Sequence, residues 1–128
     1  MNNLLEVRNL NITYKKDEHS LCAVRDISFS LGENKTLGII GESGSGKTSI
    51  ANAIMNILPK QAHVTGSILY KGRDITSLKE KEIKEIMWDK IAIIFQNSLD
   101  VLNPVLTVGL QISEVLVEHK GYKKDKAE

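Results

Sequence analysis

Apolar and polar residues alternate along three stretches of the chain, a pattern that predicts β-strands with one buried face. The stretches run from Leu5 to Tyr14, from Ile27 to Leu31 and from Val64 to Tyr70. The alternation in the first stretch is interrupted once, which indicates a β-bulge. The polar residues 15–20 then predict a hairpin or a longer loop, and Lys71–Asp74 predict a turn.

Two shorter stretches, Leu37–Ile40 and Ile91–Phe95, are apolar without interruption. Strands that are buried on both faces of a parallel sheet have this composition. A glycine-rich run follows the first stretch directly, and isoleucines at helical spacing follow the glycines. The predicted order is therefore buried strand, glycine loop and helix.

Three segments place apolar residues at the spacing of an amphipathic helix. The first covers residues 50–58 and is predicted to end at the proline that follows, and the last covers residues 108–116 with Gly121 as its C-cap. Between them, Ser77 and Glu80 predict a capping box ahead of a short helix. Together with the strands, these segments predict a mixed α/β fold.

The composition is that of an ordinary globular chain, with 128 residues of which 41% are hydrophobic and 26% charged. The formal net charge of +1 gives no sign of a nucleic-acid partner. A single cysteine, Cys22, excludes an internal disulfide and fits a reducing compartment. The N-terminus lacks the pattern of a secretory signal, and no segment has the ~20 apolar residues of a membrane span. Any membrane role is therefore expected to come through a partner.

The glycine-rich run Gly41-Glu42-Ser43-Gly44-Ser45-Gly46-Lys47-Thr48 has the spacing G-x-x-x-x-G-K-(S/T) of a phosphate-binding P-loop. Glycines let the backbone curl so that successive N–H groups point into one cavity, and the positive end of the following helix adds to them. The lysine is expected to reach the β- and γ-phosphates, and the threonine hydroxyl to bind Mg²⁺. We therefore predict a site for ATP and Mg²⁺ formed by the loop and the residue after it: Gly41, Ser43, Gly44, Ser45, Gly46, Lys47, Thr48 and Ser49.

Further segments extend the pattern over nearly the whole chain. They are Leu4–Leu10, Leu37–Ile40, Gly66–Tyr70, Phe95–Gln96 and Leu102–Gly109. Together with the P-loop they resemble ABC-transporter ATPases, and most of all the ATPase subunits of oligopeptide, dipeptide and nickel importers. The resemblance implies an α/β fold, a partial P-loop NTPase core with an antiparallel β subdomain on its N-terminal side.

The resemblance also assigns roles to single residues. Tyr14 occupies the place of the aromatic residue that stacks on adenine, with an ordinary strand aromatic as the alternative. Gln96 matches the Q-loop glutamine, whose amide oxygen meets Mg²⁺ or the attacking water. The resemblance thus makes Lys47 and Gln96 the candidate catalytic residues. Val24 has two possible roles, as part of the adenine pocket or as part of the strand core, and the sequence does not decide between them. Asn97-Ser98 departs from the family, in which an acidic residue and a proline are common at this point.

Protein partners are implied as well. The Q-loop and the helix after it are similar to the surface that receives a helix of a transmembrane permease subunit. Leu102, Pro104 and Leu106 are either exposed contacts on that surface or core residues that pin the loop. In the family, ATP lies between two ATPase subunits, which implies a homodimer or heterodimer. A cytoplasmic location follows, peripheral on the inner face of the cell membrane.

Several motifs of the family are absent from the sequence: the LSGGQ signature, the Walker B aspartate with its catalytic glutamate, and a switch histidine. By resemblance, residues 1–128 are the N-terminal portion of a nucleotide-binding domain. Phosphoryl transfer to water needs a positioned water and charge stabilisation beyond what a P-loop supplies. We expect weak nucleotide binding at best and no meaningful hydrolysis by the chain alone, together with exposed sheet edges that promote association.

The leading interpretation is the ATP-binding part of an importer of peptides or nickel. Three alternatives remain: an ABC ATPase without membrane partners, a P-loop small-molecule kinase, and a non-catalytic nucleotide-binding module. The Leu102-Asn103-Pro104 loop and the lack of a basic excess argue against the first. The half-buried strands ahead of the P-loop, with Tyr14, argue against the second.

Overall fold

A computed structural model describes residues 3–87, 89–96 and 102–123 of the chain. The chain divides into two compact units, Met1–Lys79 and Glu80–Glu128. The first contains all four strands and the P-loop, and the second contains two helices and the Gln96 segment. Asn97-Ser98, at which the sequence departs from the family, lies outside the described residues.

Four strands form one antiparallel sheet in the order β2-β1-β3-β4. Their bounds are Asn3–Lys16 for β1, His19–Gly32 for β2, Ala62–Tyr70 for β3 and Arg73–Asp74 for β4. Two-residue turns join β1 to β2 and β3 to β4. Positive φ angles at Asp17 (53°), Lys71 (49°) and Gly72 (79°) suit the tight turns that match the twist of paired strands. The three predicted half-buried strands are confirmed, and each is longer than predicted. The turn predicted for Lys71–Asp74 is confined to its first two residues, because Arg73-Asp74 form β4.

The central strand β1 contains the predicted bulge. Its register against β3 shifts between Arg8 and Asn11. Within the bulge Asn9 adopts a φ of 46°, and its backbone N–H donates to Ser28 Oγ at 2.8 Å. A side chain thus supplies the acceptor for a backbone donor that the bulge takes out of the regular ladder.

Gly66 of β3 faces this bulge with a φ of 95°. A Cβ atom there would lie 2.5 Å from the carbonyl oxygen of Asn9 and 2.6 Å from that of Arg8. Because any larger residue would collide with backbone, only glycine lets β3 approach β1 this closely.

The first unit has one continuous apolar core. Helix α1, Lys47–Ile54, packs against β2 and turns Ile50 and Ala53 inward. Each buried aliphatic side chain contributes about 1.5–3 kcal/mol to stability. The buried apolar residues of the unit come from three strands, α1 and the segments after α1 and β4: Val7, Leu10, Ile12, Val24, Ile50, Ala53, Met55, Ile68 and Ile75.

The fully buried strands predicted for Leu37–Ile40 and Ile91–Phe95 are not found. Neither segment is a strand, although Ile91 forms one isolated bridge with Met87. Ile40 is 98% exposed and Ile94 is 95% exposed. Apolar composition favours a buried strand, but a strand also needs a hydrogen-bonded neighbour. Within the described ranges neither segment has such a ladder, so both predictions are wrong.

Helix α1 is also about one turn shorter than predicted. It ends at Ile54, with Met55 as its C-cap, and not at the proline five positions after Ile54. Asn56 adopts a φ of 54°, and the next N–H, of Ile57, donates back to the carbonyl of Asn52 at 2.9 Å. A left-handed residue after the last turn closes a helix in this way, and asparagine is a common choice for it.

Two helices lie in the second unit: α2 spans Glu80–Ile86 and α3 spans Val108–Lys120. The predicted cap at Gly121 is confirmed by its φ of 66°, and Thr107 caps the start of α3 by accepting from the N–H of Leu110 at 3.3 Å. The capping box predicted at Ser77 is wrong, because its hydroxyl donates to the carbonyl of Asp74 and α2 begins only at Glu80.

Candidate functional site

The last glycine of the P-loop marks the start of α1. Gly46 is the N-cap residue with a φ of 91° and has no side chain with which to cap the helix. A Cβ atom on it would lie 2.4 Å from the carbonyl oxygen of Ala23 on β2. The backbone of the loop therefore rests directly on the sheet. The N–H groups of the first turn of α1 have no partners within the helix and are available to an anion.

The preceding residues curl into a short turn. Ser45 donates its N–H to the carbonyl of Glu42 at 3.2 Å, and Gly44 adopts a φ of 78°. A Cβ atom on Gly41 would lie 2.7 Å from Ser45 Oγ, so the loop closes tightly upon itself. The predicted loop residues Gly41, Ser43, Gly44 and Ser45 are exposed along this turn.

The ammonium group of Lys47 points back over the loop. Its Nζ donates to the carbonyl oxygens of Gly41 at 2.8 Å and Glu42 at 2.6 Å, and to Ser45 Oγ at 3.3 Å. All three acceptors are neutral. Because a phosphate adds charge attraction that these acceptors lack, it would compete well for the ammonium group.

Two hydroxyl groups follow Lys47 on the first turn of α1. Thr48 is exposed, as a metal ligand next to a bound phosphate must be. Ser49 is half-buried, and its Oγ accepts a hydrogen bond from the Tyr14 hydroxyl at 3.0 Å. The structure therefore brings Tyr14 to the P-loop helix, as its assignment to the nucleotide site requires. Sequence reasoning named both residues but did not pair them.

Val24, left open by the sequence, is buried, and it also lines a cavity beside the loop. It is 4% exposed, and a Cβ atom on Gly46 would lie 3.1 Å from its Cγ2. A cavity of about 270 Å³ lies on this side of the loop between β2, the segment before the P-loop and α1. Ile27, Phe29 and Ile39 contribute to its lining, which is mainly apolar and does not suit phosphate.

Gln96 belongs to the second unit and is exposed. It directly follows the irregular segment predicted as a strand. Its part in binding Mg²⁺ stays a prediction.

A side-chain amide that sequence reasoning missed holds the loop before α3. Gln111 Oε1 accepts from the N–H of Asn103 at 2.8 Å, and its Nε2 donates to the carbonyl oxygens of Asn103 and Leu106, each at 3.0 Å. Asn103 Oδ1 in turn accepts from the N–H of Val105 at 3.0 Å. Gln111 lies four residues after the N-cap Thr107, and only this placement one turn into α3 hints at its contact.

The loop so held presents an apolar surface. Val105 is 87% exposed and Ile112 is 63% exposed. The alternative that the loop residues are core is thus excluded, because all three of them are exposed: Leu102, Pro104 and Leu106. We define the apolar surface as the exposed apolar residues of this loop and of α3: Leu102, Val105, Leu106, Val108 and Ile112.

Replacing Gln111 with methionine is expected to loosen the loop without melting α3. Methionine keeps the length of the side chain but forms none of the amide hydrogen bonds, each worth about 1 kcal/mol. Exchange of the Asn103 N–H with solvent deuterium should accelerate about tenfold. Gln61→Met, an exposed glutamine of the first unit, is the matched control. Unchanged exchange at Asn103 would show that Gln111 does not hold the loop.

The described residues include no helix with the length and apolar character needed to cross a membrane. Within the same residues, no group of three or more His, Cys, Asp or Glu side chains is placed to hold a metal ion. A metal bound beside phosphate can take ligands from outside the protein as well. Mg²⁺ normally does so, because it keeps waters and binds phosphate oxygens beside one or two protein groups.

The family model for ABC transporters matches residues 24–128. The oligopeptide transport ATP-binding protein OppD of Haemophilus influenzae is 42% identical over 127 residues, or 99% of this chain. OppD of Bacillus subtilis is 40% identical over 126 residues, and a putative peptide import ATP-binding protein of Brucella abortus is 40% identical over 119 residues. These matches cover 97% and 92% of this chain. The chain spans only 39%, 35% and 36% of the lengths of the three relatives.

Solved structures agree on the fold. The dimeric structure of MJ0796, a bacterial ABC transporter cassette, matches with a TM-score of 0.71 at 23% identity, over 93% of this chain and 48% of that one. The same cassette bound to ADP and Pi gives a TM-score of 0.72 at 22% identity, over 96% and 53%. The predicted fold class, a partial P-loop NTPase core with an antiparallel β subdomain, is confirmed. With the family match over most of its length and these relatives at 40–42% identity, the chain belongs to the ABC transporter family.

Proposed function

We propose that this chain binds ATP through its P-loop, as part of the ATP-binding subunit of an ABC importer of peptides or nickel. The observation that carries the proposal is the position of the Lys47 ammonium group, held over the loop by Gly41, Glu42 and Ser45. The free N–H groups at the start of α1 lie beside it. Donors from backbone and lysine thus converge where a triphosphate needs them.

Mg²⁺ fits the same place. The Thr48 hydroxyl is exposed on the first turn of α1, one residue after Lys47. A single hydroxyl oxygen supplemented by phosphate oxygens and water suits this cation, which prefers octahedral oxygen ligands. Mg²⁺ would neutralise charge on the phosphates, and we propose Gln96 as a second protein ligand, as the family resemblance implies.

The base is proposed to stack on Tyr14. This residue lies on the central strand, paired with Leu21 of β2 and Ala62 of β3, so its backbone is fixed on both sides. Its ring is half-buried, which leaves part of it accessible to a flat partner. Stacking of a base on an aromatic ring contributes about 1–3 kcal/mol.

Protein partners are proposed from the relatives and from the second unit. Relatives are named as ATP-binding proteins of oligopeptide transport and peptide import. The apolar surface carries five exposed side chains, three on a loop that hydrogen bonds hold in place and two on α3. We propose that it receives a transmembrane permease subunit, which would place the protein peripherally on the inner face of the membrane. A second ATPase subunit is proposed because the MJ0796 cassette is dimeric.

Hydrolysis is not proposed for these 128 residues acting alone. The sequence provides the P-loop side of the reaction and, in Gln96, one candidate for placing the water. It has neither the signature nor the Walker B carboxylates that complete the family's site. The chain corresponds, in this proposal, to the N-terminal portion of a nucleotide-binding domain, and incubation with MgATP should release no phosphate above background.

Binding of a fluorescent ATP analogue in the presence of Mg²⁺ tests the proposed site. Saturable binding is expected, and removal of Mg²⁺ with a chelator should weaken it because the phosphates lose their counter-ion. Unlabelled ATP should compete, and tripolyphosphate should compete less well because it has no base to stack. The absence of saturable binding at millimolar nucleotide would contradict the proposal for this chain.

A further inference from the structure

The hydrogen bond between Tyr14 and Ser49 connects the two ends of the proposed nucleotide site. Tyr14 lies on β1 and Ser49 on the first turn of α1, 35 residues later. The phenol donates to Ser49 Oγ at 3.0 Å, and both side chains are half-buried. No other side-chain hydrogen bond joins the sheet to α1 in the described part of the chain.

The phenol is the more acidic of the two hydroxyls, which favours Tyr14 as the donor and Ser49 as the acceptor. A serine hydroxyl has one proton to donate and two lone pairs with which to accept. Tyr14 occupies one lone pair, so Ser49 keeps its own proton. Serine in a helix often gives that proton to a carbonyl one turn back, yet Ser49 makes no such bond among the described residues. This proton is therefore available to a ligand on the turn whose N–H groups are proposed to bind the phosphates.

We propose that the Tyr14 hydroxyl is a positioning group for the phosphate end of the site. By donating to Ser49 Oγ, it orients the Ser49 O–H as a donor to a phosphate oxygen. Hydrogen bonds in a chain polarise and strengthen one another, so the phenol also makes Ser49 a better donor. This role is separate from the stacking of the Tyr14 ring, and it rests on the proposed function of the P-loop.

A ligand without a base separates the two roles of Tyr14. Magnesium tripolyphosphate offers phosphate oxygens but nothing for the ring to stack on, and calorimetry measures its affinity for the full chain. Tyr14→Phe keeps the ring and removes the hydroxyl. Its affinity for tripolyphosphate should fall about threefold to tenfold, the effect of one well-placed hydrogen bond. Ser49→Ala should lose at least as much, and Ser49→Thr, which keeps a hydroxyl, should recover most of it.

The double variant tests whether the two groups act together. If Tyr14 acts through Ser49, removing its hydroxyl in the Ser49→Ala background should cost nothing further. The matched control is Tyr70→Phe, which removes a hydroxyl from β3 of the same sheet and should leave the affinity unchanged. Additive losses in the double variant, or full affinity in Tyr14→Phe, would overturn the inference.

A fluorinated ring at Tyr14 distinguishes positioning from simple support of the fold. Ring fluorination keeps the shape and the hydroxyl but makes the phenol a stronger donor. Through the chain of hydrogen bonds, tripolyphosphate should then bind about twofold more tightly. A purely structural contact predicts no gain, and that result would also overturn the inference. Failure of the unaltered chain to bind either MgATP or tripolyphosphate would reject the proposed function and this inference with it.

Discussion

Replacement of Lys47 with alanine is expected to weaken MgATP binding at least about a hundredfold, because two hydrogen bonds to charged phosphate oxygens, each worth about 1.5–3 kcal/mol, are lost. The ammonium group already lies over the loop, within 2.6–3.3 Å of three loop oxygens. It needs only to exchange neutral acceptors for phosphate oxygens. Titration with the fluorescent ATP analogue measures the loss.

Two further variants show what the lysine contributes. Lys81→Ala, an exposed lysine on α2, removes the same charge from the second unit and should leave affinity within about twofold, because exposed charges are screened. Lys47→Arg keeps the charge but replaces the compact ammonium with a planar fork, so it should restore binding only in part. Equal losses in Lys47→Ala and Lys81→Ala would mean that net charge, and not the P-loop, binds the nucleotide.

Replacement of Gly46 with alanine is expected to destabilise the first unit by about 2–5 kcal/mol and to abolish nucleotide binding with it. The left-handed φ of 91° accounts for about 1–2 kcal/mol of this loss. The remainder comes from collision, because the new Cβ would lie 2.4 Å from the carbonyl oxygen of Ala23. Overpacking of this kind costs about 1–3 kcal/mol. Urea unfolding followed by circular dichroism measures the change.

Gly44 provides the matched control within the same loop. Its φ is 78°, but a Cβ atom there meets nothing within 4 Å. Gly44→Ala should therefore cost only the conformational part, about 1–2 kcal/mol. If the two variants are equally stable, then the close approach of the loop to β2 does not constrain the fold, and contact with β2 is not the reason for a glycine at position 46.

The P-loop is thus held by the sheet from two sides. Gly46 rests on the backbone of β2, and Ser49 is joined to Tyr14 of β1. A rigid support matters because phosphate recognition depends on donors held in fixed directions. The second unit contains a similar support, since hydrogen bonds from Gln111 hold an apolar loop in place.

Local patterns in the sequence were sufficient for most of the first unit. Alternation predicted β1, β2 and β3, and its break near Asn9 predicted the bulge. These features are determined by neighbouring residues, because a half-buried strand needs only one apolar face. The start of α1 after the glycines and the Gly121 cap of α3 were predictable for the same reason.

The two apolar segments show where such patterns fail. Leu37–Ile40 and Ile91–Phe95 have the composition of buried strands, yet neither has a ladder within the described residues. Apolar composition indicates that burial of a segment would be favourable. A strand also requires a hydrogen-bonded neighbour at a particular register. The prediction for the end of α1 was wrong for a different reason. Asn56 adopts a left-handed conformation, which ends the helix before the proline.

The sequence by itself determined the P-loop, its place before a helix and the family, because the spacing of glycines, lysine and threonine carries its own chemistry. Only the tertiary structure decided how the loop is supported. Gly46 must be glycine because β2 passes within contact of it, and the Tyr14 hydroxyl reaches Ser49 across 35 residues of chain. Contacts between residues so far apart depend on the packing of strand against helix. The spacing of residues along the chain does not predict that packing.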